Sequence, residues 1–108
     1  MNNPSDQQIL EATFLDRITE IESLTDNNVG EWLDYAIDIE VYLLCREQET
    51  RFSHVDVLVT YGGPNVRVRW DGGTSITLDV TTMSGRASAQ VECPALAVAL
   101  EQYADLHV

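Results

Sequence analysis

Lysine is missing from this chain: all six cations are arginines, set against 18 carboxylates, so the formal charge is −12 and the isoelectric point lies near 4.2. That balance excludes a protein drawn by its own charge to nucleic acid or to an anionic membrane surface, because the field of the whole molecule repels both. Long apolar runs are missing too. None approaches the roughly 18 residues of a membrane span. The opening MNNPSDQQ carries neither the basic nor the apolar region of a signal peptide, so the expectation is a protein of the host-cell cytoplasm.

Cysteine and histidine are scarce. Cys45 and Cys93 lie far apart and outside any CxxC pair, so neither a disulfide framework nor a metal site is signalled and two buried thiols are the expectation; a disulfide between them stays open if their strands are neighbours, though a cytoplasmic setting argues against it. His54 and His107 lack the paired spacing of metal ligands and read as surface residues. Ser53 and Ser84 lack the G-x-S-x-G context of a nucleophile elbow. No catalytic residue, no metal and no cofactor is expected, and the chain does not read as an enzyme.

Glycine pairs in DGG and in YGGPNVRV over residues 61–68, and the second could be taken for a phosphate loop. A phosphate cradle needs glycines that feed a helix N-terminus, where free N–H groups meet the anion. Here an alternating strand pattern follows instead, and Pro64 removes one donor. The stretch is a hairpin turn.

What is present supports one folded domain. A chain of 108 residues, 44% hydrophobic and 22% charged, is long enough for a single core and too apolar for a disordered acidic tail. It should fold alone or as a small oligomer such as a homodimer. Ser5 and Gln8 fit a capping box, and Leu10, Phe14, Ile18, Ile21 and Leu24 recur at helical spacing, which predicts a helix over about 5–24. Asn28 is placed to cap a short helix over 29–36 that turns Trp32 and Leu33 inward.

From Ile37 the period becomes two. Ile37, Ile39, Val41 and Leu43 define the buried face of a first strand, and a polar turn, REQETR, follows. Val55, Val57, Val59 and Tyr61 define the second strand, Val66, Val68 and Trp70 the third, Ile76, Leu78 and Val80 the fourth. Ala87, Ala89 and Val91 make a weaker fifth. The links GGPN, DGG and MSGR suit antiparallel hairpins and are too short for parallel crossovers. Pro94 opens a last helix with Leu96, Val98, Leu100, Tyr103 and Leu106. The fold class is α+β: an antiparallel sheet of four to five strands packed by N-terminal and C-terminal helices.

Charge is uneven along the chain. Residues 1–54 hold twelve acids against Arg17, Arg46 and Arg51, a balance of −9, while residues 55–108 hold six acids against three arginines, a balance of −3. A uniform solubility bias would spread evenly, so the asymmetry points to a partner surface in the first half. Its candidate residues are Glu20, Glu22, Asp26, Glu31 and Asp34, extended by Asp38 and Glu40. Asp38, Glu40 and Asp56 form a carboxylate cluster with acid/base or cation-binding chemistry open to it. Arg67, Arg69 and Asp79 belong to the same outward face, and cross-strand pairing or partner contact explains the set better.

The run EWLDYAIDIEVYL, the alternating strand ending in YGGPNVRV, the strand of small residues and the terminal acidic helix resemble a group of short acidic proteins of phages and conjugative elements. These sit among anti-defence genes, with anti-CRISPR and antirestriction inhibitors as functional neighbours. The resemblance spans residues 28–106, and its most specific pieces are W-L-D-x-A-x-D-I-E and G-G-P-N; it departs in the fourth strand, TSITLDV, where similar chains carry an aromatic.

The resemblance implies a non-enzymatic inhibitor that contacts a basic nucleic-acid-binding protein of a bacterial defence system, and neither nucleic acid nor membrane directly. Its carboxylates would stand where phosphates sit in a duplex, which presents a charge per about 1.7 Å of axis. The alternative is a small acidic interaction module of a halophile or mobile element, unrelated to nucleic-acid enzymes. Salt separates the two: an inhibitor's binding weakens with salt, whereas a halophile's protein needs molar salt to fold.

Overall fold

The first helix begins where its donors are satisfied. Ser5 Oγ accepts from the Gln8 backbone N–H and the Gln8 side chain accepts from the Ser5 N–H, a complete capping box. The computed structural model describes residues 5–83 and 85–107. Ser84 and the side chain of His107 lie outside the described residues. Helix α1 (Asp6–Glu22) is followed by α2 (Val29–Asp34) and then by strands β1 (Asp38–Arg46), β2 (Glu49–Thr60), β3 (Asn65–Trp70), β4 (Ser75–Thr82) and β5 (Gly85–Glu92), and α3 (Pro94–His107) follows the last strand. The five strands form one antiparallel meander in the order β1-β2-β3-β4-β5. The class is α+β.

Register follows from burial. Ile39, Val57, Val68, Leu78 and Ala89 are successive cross-strand partners, so a single apolar row crosses the whole sheet. Val55 with Trp70, and Val66 with Val80 and Ala87, make flanking rows. Against this face pack Leu10 and Ile21 of α1, Val29 of α2, and Leu96, Ala97, Leu100 and Ala104 of α3, all buried. A slip by one residue would send every one of these side chains to water, which pins the register. Helices cover this face only; the polar positions of the strands make up the other.

Several expectations are corrected. Asn28 does sit at the start of α2 but makes no capping bond there; its Oδ1 accepts from Thr25 N–H at 2.7 Å, closing the preceding turn instead. Ile37 precedes the strand and is 59% exposed. Val98 and Leu106 are exposed on α3, because they fall off the stripe that Leu96, Ala97, Leu100 and Ala104 present at spacings of three and four. Tyr61 belongs to the exposed turn. Cys93 is buried, its Sγ donating to Ile21 O at 3.2 Å, but Cys45 is exposed near the hairpin tip.

The tip itself differs from the expected loop. Strands β1 and β2 pair all the way to Arg46 and Glu49, so REQETR is mostly strand and only Glu47 and Gln48 turn. Both have positive φ, 46° and 72°, the geometry of a two-residue hairpin turn that Asn-Gly serves best. The GGPN turn uses Gly62 and Gly63 at φ 107° and 120°, and Gly62 N–H donates to Asn65 Oδ1 at 2.9 Å.

Two outcomes follow for chemical denaturation. Leu78→Ala, at a fully buried site, should cost about 2–5 kcal/mol, whereas Leu106→Ala at an exposed one should change stability by less than about 0.5 kcal/mol. Replacing Glu47-Gln48 with Asn-Gly should raise stability by about 1 kcal/mol, since left-handed backbone costs ordinary residues about that much.

Candidate functional site

The outward face of the sheet gathers charge in register. Glu40, Asp56, Arg69, Thr77 and Gln90 form one cross-strand row, and Asp38, Leu58, Arg67, Asp79 and Ser88 the next. Arg69 Nε donates to Asp56 Oδ1 at 3.0 Å, and Arg86 Nε to Asp79 Oδ1 at 2.6 Å. The Asp56 carboxylate holds the Arg69 guanidinium above its ordinary pKa, chiefly through this hydrogen bond. Asp56, Arg67, Arg69, Thr77, Asp79 and Arg86 line a shallow cavity of ≈ 330 Å³. Three of the chain's six cations therefore meet two carboxylates here; of the acids expected to cluster, Asp56 is matched by Arg69, whereas Asp38 and Glu40 have no arginine within 4.0 Å among the described residues.

One end of this face carries a second network. Tyr42 stacks on His54 with ring centroids 4.4 Å apart, and the Tyr42 hydroxyl donates to Glu40 Oε2. That bond, together with the carboxylate's negative charge, raises the Tyr42 phenol above its usual value of 10.0. Opposite the step from Tyr42 to Leu43, β2 carries one extra residue, Ser53, between His54 and Phe52. The bulge lets Ser53 Oγ reach the Nδ1 of the adjacent His54 at 2.9 Å, while His54 Nε2 lies 3.6 Å from Asp56 Oδ2. The order Ser, His, Asp is suggestive of a charge relay, but 3.6 Å is too long for the hydrogen bond that orients a catalytic base, and Asp56 is already engaged by Arg69. What the network does is fix the imidazole against Tyr42.

The seven acids expected at a partner surface are divided between two layers. Glu20, Glu22, Asp26, Glu31 and Asp34 belong to α1, α2 and the turn between them. Asp38 and Glu40 sit on the outward face of β1, across the sheet from the helices. Glu20 is half-buried and paired with Arg17 at 2.7 Å. Glu22, Asp26, Glu31 and Asp34 are exposed and have no arginine or histidine nitrogen within 4.0 Å among the described residues. A groove beside them is lined by Glu20, Leu24, Asn28, Glu31, Trp32 and Tyr35, and Tyr35 is 79% exposed.

Sequence patterns single out neither Tyr35 of the helical layer nor the Tyr42–His54 stack of the sheet face; the stack depends on the β1–β2 register, which no local pattern reveals. Among the described residues no three His, Cys, Asp or Glu side chains are grouped closely enough to hold a metal ion, and no helix is long and apolar enough to cross a membrane. Comparison with protein-family models, curated proteins and solved structures finds no match to this chain.

The Tyr42 contact makes a pH prediction. A pKa raised by folding contributes stability that is complete below the unfolded value near 10.0 and is lost as pH rises through the folded value. Glu40→Gln removes both the ionic acceptor and the repulsion of the phenolate. In an ultraviolet titration Tyr42 should then ionise at lower pH than in the wild type, identified as the transition absent from Tyr42→Phe. The thermal-stability difference between wild type and Glu40→Gln should be constant from neutral pH up to 10.0 and shrink above it.

Proposed function

We propose that this protein is a non-enzymatic binding protein whose acidic helical layer docks on a basic, nucleic-acid-binding surface of another protein and so competes with nucleic acid. The observation that carries this reading is the segment from Glu20 to Asp34: five carboxylates, no arginine between them, and four of the five exposed without a cationic partner among the described residues. Elsewhere, on the outward sheet face, Asp56 and Asp79 are matched by Arg69 and Arg86. Charge left unmatched on a helical surface is charge available to a partner, and it raises the rate of encounter with a basic surface by long-range steering.

The exposed Tyr35 and half-buried Trp32 beside Glu31 add ring faces on which a partner's arginines can stack. Arginine-rich channels that hold phosphates are therefore the surface this layer fits, and direct contact with nucleic acid is disfavoured by the same charge. The resemblance to anti-defence proteins of phages and conjugative elements supports a bacterial defence complex as the partner, with inhibition in the cytoplasm as the outcome. Asp38 and Glu40, in the other layer, are peripheral to this surface.

Each rim acid contributes only about 0.2–1 kcal/mol alone, so the test changes three together. Glu22→Lys, Asp26→Lys and Glu31→Lys in one variant should slow association with a CRISPR effector or restriction complex and abolish its displacement of duplex DNA, with circular dichroism unchanged. Reversal of Asp71, Glu101 and Asp105, all exposed, should do much less. Wild-type association should also slow as salt rises. Equal loss from both triple variants would reduce the reading to general acidity, and no association with either class of complex at low salt would overturn it.

A further inference from the structure

Strand β1 has a neighbour on one side only. Its outer edge presents unpaired backbone groups, the template that another strand completes. Its far half also exposes Leu43 at 42% and Leu44 at 50%, beside the exposed Tyr42 and Cys45. An open edge flanked by large apolar side chains is the arrangement that folded proteins ordinarily blunt. The other edge strand, β5, exposes no large apolar side chain, and its terminal charges are engaged, Arg86 by Asp79 and Glu92 by Ser75.

The charges of β1 are arranged for self-pairing. The strand runs from Asp38 to Arg46 with Tyr42 at its centre. Neither Asp38 nor Arg46 has an ionic partner within 4.0 Å among the described residues. We propose that β1 pairs antiparallel with β1 of a second copy about a two-fold axis at Tyr42, joining two five-stranded sheets into one. In that register Asp38 of each copy faces Arg46 of the other, and Tyr42 faces Tyr42. On the helix-side face Ile39 meets Cys45 and Val41 meets Leu43, so the exposed half of each strand covers the half-buried half of its partner. A C2 contact of this kind is self-complementary and closed, leaving no free β1 edge.

The two copies repel through their net charge, so the measurement belongs at physiological salt, where the Debye length is about 8 Å. The surface lies in the sheet and not in the acidic helical layer, and the proposal stands whether or not that layer binds a partner. By sedimentation velocity over a concentration series, wild-type protein should reach a dimer. Asp38→Arg or Arg46→Asp alone sets like charges opposite at both symmetric sites and should weaken the dimer roughly tenfold. The double variant carrying both changes should restore it.

Cross-linking checks the register. With Cys45→Ser as background, Tyr42→Cys should give an interchain disulfide under mild oxidation, since facing Cα atoms in an antiparallel pair lie about 4.5–5.5 Å apart. Leu44→Cys should not, because its copies would be displaced by about 13 Å along the strands. A monomer at every concentration, a dimer indifferent to both single reversals, a folded double variant no tighter than the singles, or equal cross-linking at positions 42 and 44 would each overturn the proposal.

Discussion

One-sided burial of a twofold-alternating sheet is the constraint from which the rest follows. The row Ile39, Val57, Val68, Leu78 and Ala89 must face the helices, because each of its central members is wholly removed from water and an apolar side chain of that size gains roughly 1.5–3 kcal/mol from burial. Once that row is set, the residue beside each member is committed to the opposite face. Glu40, Asp56, Arg69, Thr77 and Gln90 are thereby aligned without any attraction among them having to choose the register. Their ion pairs are consequences of the hydrophobic register, and exposed pairs of this kind contribute little on their own.

The same constraint separates two kinds of acidity. On the outward sheet face Asp56 and Asp79 are held close to cations, Asp56 by Arg69 and His54 and Asp79 by Arg86. Those on α1, α2 and the intervening turn radiate from helices whose opposite faces are pinned by Leu10, Ile21 and Val29, and they meet water. The −12 charge therefore acts mainly through the helical layer, while the sheet face is locally balanced. A single chain carries an acidic helical surface on one side and a polar, zwitterionic face with an open strand edge on the other.

The β1–β2 hairpin is where the core runs out. Val55 is fully buried under the helices, but every residue of β1 from Tyr42 onward is exposed. Ladder hydrogen bonds hold the tip, with the exposed Arg51–Glu49 ion pair and the Cys45–Thr50 contact beside them, and the tilted contact of Phe52 with Trp70 at 5.3 Å ties its base to the core. Such a two-stranded extension is marginal in isolation, and its persistence here depends on continuity with the packed half of the same strands.

Local periodicity by itself determined the elements of this protein: the capping box at Ser5, the stripe from Leu10 to Leu24, the change of period near Ile37, the short turns that force antiparallel pairing, and the −9 balance of the first half. These are legible because they depend on neighbours within a few residues. Tertiary structure alone decided which apolar side chains the helices reach, leaving Ile37, Leu43, Val98 and Leu106 in water although their patterns read as core. It also decided that Asp38 and Glu40 lie across the sheet from Glu22, Asp26, Glu31 and Asp34, and that a bulge at Ser53 brings His54 against Tyr42. The reason is physical: a residue's alternation names its face, but only the packed layers determine which face is covered, how far the cover extends, and which charges share a surface.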